Sequence, residues 1–141
     1  MVWNKFKKIT PKKTVRKFTD LEVYQKTLDA SVILLKDILP KLEKLEFSFA
    51  EQMVGCAVSI PLWLSQAHSM RFYDHEKTIG ILEQAMAGCN KMVVYLDQIK
   101  GVYGKKLDGD LINDLSGRYA DVRTKIFRLE KSWQKWYAPR N

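Results

Sequence analysis

At 141 residues the chain has room for one domain, and a domain of this length buries roughly 70% of its unfolded surface, so its core needs neither disulfide nor metal. The formal net charge of +8 is unevenly placed: residues 1–19 hold seven basic side chains and no acidic one, and the rest of the chain holds 17 basic against 16 acidic. Composition therefore excludes an evenly charged globule and predicts a nearly neutral body with a cationic arm, whose natural partners are polyanions.

The arm comes first. Residues 1–18 contain Pro11 and no helical apolar period, and Trp3, Phe6, Ile9, Val15 and Phe18 alternate with Lys5, Lys7, Lys8, Lys12, Lys13, Arg16 and Lys17. The reading is an extended basic arm; its alternative is a solvated tail that keeps the protein in solution. No apolar run follows the lysines as a secretory signal requires, so a cytoplasmic protein is expected.

Thr19-Asp20-Leu21-Glu22 has the form of a capping box and predicts the start of a first helix. Its apolar stripe is Leu21, Tyr24, Leu28, Val32, Leu35 and Leu39, and Pro40 is expected to stop it. A second box, Ser48-Phe49-Ala50-Glu51, predicts a second helix with Phe49, Met53, Cys56, Ile60, Leu64 and Ala67 along one face. Pro61 inside it predicts a kink, and the small residues Gly55, Ala57 and Ser59 allow a neighbouring helix to come close. The stretch Gln52 to Met70 carries no formal charge, yet Gln52, Ser59, Ser65, Gln66, His68 and Ser69 would each need a partner in lipid. A buried bundle helix is expected there, not a membrane span.

The third helix is predicted from near Asp74 to Gly101, with Leu82, Ala85, Cys89, Met92, Leu96 and Ile99 forming a heptad-like seam. A glycine-punctuated loop leads to a fourth helix, from near Asp108 or Asp110 to about Trp136. Its stripe is Leu111, Leu115, Tyr119, Val122, Ile126, Leu129, Trp133 and Trp136. Opposite that stripe, Lys125, Arg128, Lys131 and Lys135 fall within about 120° of one another. They form either an ordinary wet face or, with the arm, a second contact surface. The expected architecture is all-α: an antiparallel up-down four-helix bundle over residues 19–137, a basic arm at 1–18 and a short tail at 138–141.

No catalytic pattern is present. Neither His68 nor His75 follows a Glu at the spacing of a di-iron bundle, and two histidines with two cysteines make a poor zinc site. There is no phosphate-binding loop and no nucleophile motif, so neither cofactor nor catalysis is expected. Cys56 and Cys89 lie on apolar helix faces, which suits unpaired thiols in a reducing compartment.

The run Phe18-Thr19-Asp20-Leu21-Glu22-Val23-Tyr24-Gln25-Lys26 resembles the opening helix of the bacterial four-helix-bundle family encoded in intervening sequences of large-subunit ribosomal RNA genes. Gln52 through Pro61, with its Ser59-Ile60-Pro61, resembles that family's second helix, and the likeness covers about residues 17–135. After the proline this chain has Leu62-Trp63-Leu64-Ser65-Gln66-Ala67 where the family has Ser-Asn-Ile-Ala-Glu-Gly. That departure and the basic arm are closer to a branch of the same superfamily, the accessory variability determinant (Avd) of diversity-generating retroelements. The resemblance implies a homopentamer that binds RNA and single-stranded DNA and partners a reverse transcriptase during error-prone cDNA synthesis. On this reading Lys5, Lys7, Lys8, Lys12, Lys13, Arg16, Lys17, Lys125, Arg128, Lys131 and Lys135 contact phosphates, and Val23, Ile33, Val94, Tyr95 and Phe127 wall one protomer against the next. The alternatives are the intervening-sequence type itself, structural or RNA-associated, and a membrane-surface protein using its arm on anionic lipid.

Overall fold

Asp20, not Thr19, organises the entry to the first helix. Its Oδ2 accepts the backbone N–H groups of Arg16 and Lys17 at 3.2 and 3.1 Å, beside a 3-10 turn over Phe18–Asp20. In the computed structural model, which describes residues 16–137, helix α1 follows at Glu22–Ile33, with Leu21 at its N-cap and no side-chain cap. The capping box expected at Thr19 does not form. Glu22, which would have reached back, is instead drawn sideways to Lys26 and Lys125.

Pro40 does not end this helix either. A π-helical turn over Leu34–Ile38, in which the Leu39 N–H reaches the Leu34 carbonyl, leads directly into α2 at Leu39–Lys44. Proline has no N–H to give and its ring crowds the carbonyl four residues back, and a wider turn just upstream accommodates both demands. Chain reversal comes at Glu46, which adopts the left-handed conformation at φ 56°. Phe47 N–H then donates to Leu42 O and Glu46 N–H to Glu43 O, both at 3.1 Å, the two bonds of a Schellman stop.

Helix α3 spans Ala50–Met70 and runs through the buried Pro61; its N-cap is Phe49, so the second expected box is also unmade. Ser59 and Ser69 hydroxyls donate to the carbonyls of Gly55 and Gln66, which satisfies them inside their own helix. Helix α4, His75–Tyr103, is capped by Asp74, whose Oδ1 accepts from Lys77 N–H at 3.1 Å. Helix α5, Gly109–Tyr137, starts the same way, with Asp108 Oδ1 accepting from Leu111 N–H at 3.1 Å. No strand occurs among the described residues.

The α1–α2 rod packs against α3 and α5, and α4 packs against the same two helices from the other side, giving four rods around one core. On α4 the expected seam from Leu82 to Ile99 is fully buried. The rod α1–α2 is different. It buries Val23, Thr27, Ala30, Ser31, Leu34, Ile38 and Leu42, whereas Leu28, Val32 and Leu35 of the expected stripe stay 39%, 43% and 37% exposed. The helix carries two apolar stripes, and the one rich in small residues faces inward, where Ala30 and Ser31 permit close approach. Thr27 and Ser31 donate to carbonyls of their own helix at 2.8 and 2.7 Å, so their burial leaves no hydroxyl unpaired. The close approach of α3 and α4 is set by Gly88 on α4: a Cβ there would lie 3.0 Å from both Ile60 Cγ1 and Trp63 Cζ3. Gly55, expected to serve that purpose, has open space around it.

Candidate nucleic-acid interface

Of the eleven cations singled out above, Lys5, Lys7, Lys8, Lys12 and Lys13 lie outside the described residues, as do Trp3, Phe6 and the tail at 138–141. Arg16 and Lys17 are exposed at the entry to the bundle, their backbone amides held by Asp20. The other four lie on α5, but in two different electrostatic situations.

Lys125 is committed to the fold. Its Nζ sits 2.6 Å from Glu22 Oε1 and 3.5 Å from Asp121 Oδ2, and Lys26 joins the same two carboxylates at 3.2 and 3.5 Å. Hydrogen bonding to Lys125 and then to Lys26 holds the Glu22 carboxyl below its ordinary value, and the bond to Glu22 raises Lys125 well above the usual lysine range. Two cations and two anions thus cancel between α1 and α5.

Arg128, Lys131 and Lys135 are exposed and make no ion pair among the described residues. Lys131 Nζ lies 5.1 Å from the centre of the Phe127 ring, which is itself 42% exposed. These three charges reach solvent without a salt-bridge partner among the described residues, the condition under which a cation can exchange its counterion for a phosphate. Helical spacing brings the four residues to one side of α5; contact with α1 then removes Lys125 from the group.

One cation escaped the pattern reading. Arg71, the first charged residue after the uncharged stretch of α3, stands in the α3–α4 turn beside a cavity of about 390 Å³. Leu21, Phe72, Leu129, Trp133, Trp136 and Tyr137 line the cavity with Arg71 and His68, so it opens at the end of the bundle where the chain enters. Arg71 Nη1 donates to His68 O at 2.6 Å and lies 3.2 Å from His68 Nδ1, and the guanidinium sits 4.2 Å above the Phe72 ring centre. Burial, then the nearby Arg71, lowers the His68 pKa, so its imidazole is neutral at pH 7. His75 stacks on Tyr137 at 4.0 Å and ties the end of α5 to the start of α4. The sequence signal was Arg71-Phe72-Tyr73, a cation beside two aromatics in a turn, where both rings remain 76% exposed.

Among the described residues no group of three or more His, Cys, Asp or Glu is disposed to hold a metal ion. Burial pushes the Cys89 thiol up to about 12 and raises Cys56 as well, so both are protonated thiols at neutral pH. No helix of the described residues is long and apolar enough to cross a membrane. Comparison with protein families, with curated proteins and with solved structures finds no match to this chain.

Proposed function

We propose that this protein is a non-catalytic accessory factor that binds RNA and single-stranded DNA through surface charge and assists a reverse transcriptase in error-prone cDNA synthesis, as the Avd resemblance implies. The observation that carries the binding step is the division on α5: Lys125 is neutralised by Glu22 and Asp121, whereas Arg128, Lys131 and Lys135 face solvent unpaired. Together with the arm lysines they supply the counterion release that drives affinity without sequence selection. Specificity then comes from the polymerase partner. The bundle is read as antiparallel and up-down, supported by contacts that run in opposite directions along α1 and α5: Glu22 meets Lys125, and Lys26 meets Asp121. The protein is read as a homo-oligomer, most simply a pentamer. Of the side chains expected at the wall, Val94 and Phe127 are uncovered and support that reading together with Leu28, Val32 and Leu35, while Val23 is buried in the protomer's own core and Ile33 and Tyr95 are half-buried against it.

The test is a salt titration of binding to a labelled single-stranded oligonucleotide. Deleting residues 1–15 should lower affinity and reduce the slope of log affinity against log salt by up to about 3.5, since each neutralised single-strand phosphate contributes about 0.7. Changing Arg128, Lys131 and Lys135 to Gln should reduce it by up to about 2 more. Binding that ignores both changes, or no binding at low salt, overturns the reading. A second reading, the ribosomal intervening-sequence type, is favoured by Ser59-Ile60-Pro61, whose Ile60 and Pro61 are both buried. A reverse-transcriptase gene beside this one supports the first reading, and a location inside a ribosomal RNA gene supports the second.

A further inference from the structure

The cavity at the entry end joins two features that the surface-charge reading does not use. Trp136 and Phe72 line it and remain 73% and 76% exposed, a large uncovered aromatic area at one spot. Arg71, between them and His68, is fixed in place: Nη1 is spent on the His68 carbonyl, and the ring of Phe72 supports the guanidinium face. Its Nε and Nη2 donors have no protein partner among the described residues, which leaves an oriented fork suited to two oxygens of one anion. We propose that this cavity holds one unpaired nucleotide of a single strand, its base stacked on Trp136 and Phe72 and its phosphate on Arg71. The proposal rests on the nucleic-acid reading above and gives it a specific subsite.

Charge selects this occupant over the protein's own arm. The arm offers Trp3 and Phe6, but it would bring lysines 5, 7, 8, 12 and 13 against Arg71, and the one carboxylate acting on the lining His68, that of Asp20, already accepts the backbone N–H groups of Arg16 and Lys17. An acidic peptide satisfies the charge, yet leaves two exposed ring faces without a flat partner. A base and its phosphate use both features, because every base has a π-face and every link a phosphate. The site therefore prefers unpaired strands to duplex, in which the bases are already stacked.

The experiment uses the full chain and a short oligothymidylate containing one 2-aminopurine, whose fluorescence falls when the base stacks. Binding should quench it, and Trp136→Ala and Phe72→Ala should each weaken affinity at least about fivefold, the lower end for loss of one base–aromatic contact. Trp136→Phe should retain most of the affinity. Arg71→Gln should lower both affinity and the salt slope, the latter by about 0.7. Both aromatics are largely exposed, so melting temperatures of the alanine variants should match the parent. If Trp136→Ala and Phe72→Ala leave quenching and affinity unchanged while deletion of residues 1–15 weakens binding, the cavity is not the subsite and the nucleic-acid reading survives. If no oligonucleotide binds at low salt, both fall. If polyglutamate binds more tightly than the oligonucleotide and depends on Trp136, the occupant is an acidic protein segment and the nucleotide proposal is overturned.

Discussion

Lys125 Nζ and Glu22 Oε1 lie 2.6 Å apart across 103 residues of sequence, tying the middle of α5 to the first turn of α1. Asp121 and Lys26 complete the group at 3.5 Å, so the pair belongs to a small network and not to an isolated surface contact. Glu22 also stands at a helix N-terminus, where a carboxylate is favoured by the backbone dipoles.

Lys125→Gln should therefore act on stability and not on binding. The Glu22 carboxyl is held below its usual value, so its contribution is present above pH 4.5 and is lost as pH falls through the lowered value. Lys125 is raised, so its contribution is lost only in strong alkali. Removing the lysine should lower the melting temperature at pH 7, by less in 1 M salt than in about 0.1 M because these groups are partly exposed and screened. The salt slope for oligonucleotide binding should stay unchanged, in contrast to Arg128→Gln. A slope that falls by the same amount in both variants would return Lys125 to the proposed phosphate contacts.

The same substitution should have opposite signs at two glycines. At Gly88 a Cβ meets Ile60 and Trp63 at 3.0 Å, and Ile60 is fully buried, so Gly88→Ala obliges these side chains to give way inside the packed α3–α4 contact. Overpacking of this kind costs about 1–3 kcal/mol, only partly offset by the roughly 1 kcal/mol that alanine gains in a helix. At Gly117 on α5 a Cβ meets nothing within 4 Å, and Gly117→Ala should stabilise by about 0.5–1 kcal/mol. Chemical denaturation of the two variants measures both, and a shift of the same sign in each contradicts the packing argument.

Glu46 occupies a position that glycine fills without strain. A left-handed residue with a Cβ costs about 1–2 kcal/mol, and glycine's extra freedom in the unfolded chain returns about 0.4–1 of that. Glu46→Gly should raise stability by up to about 1.6 kcal/mol with the Schellman bonds intact, while Glu46→Ala should give no such gain. Equal denaturation midpoints for the glycine and alanine variants would show that φ is not what limits this turn.

Glu130 is an acidic residue only 5% exposed on α5, and burial, followed by the neighbouring Glu83, raises its carboxyl pKa. The folded state thus holds the proton more tightly than the unfolded chain. The penalty is absent below pH 4.5 and grows as pH rises through the elevated folded value. Glu130→Gln should melt a few degrees higher than the parent at pH 7, and the gap should close towards pH 4. A gap that is constant over this range would mean that packing, not charge, accounts for the difference.

Much of α4 and α5 was legible along the chain, because each has one continuous apolar stripe. From Leu82 to Ile99 the steps of three and four residues admit a single inward face, and Asp74 and Asp108 mark both starts by the bonds they make to amides three residues on. Charge segregation was equally plain in residue order. The first rod was not, since Leu28, Val32 and Leu35 form as regular a stripe as Ala30, Leu34 and Ile38; burial chose the side on which small residues admit α3, and a π turn carried the helix past Pro40. The α5 cations divided in the same manner: spacing brings Lys125, Arg128, Lys131 and Lys135 to one side, but only the arrival of α1 gives Lys125 its carboxylate partner. Arg71 gains its cavity from the ends of α3 and α5, more than sixty residues apart in the chain. Periodicity determines which side chains share a face, because that depends on backbone geometry within a few turns. Which face is buried, which charge is cancelled and where a cavity opens depend on contacts between segments distant in sequence, and those energies exist only once the helices meet.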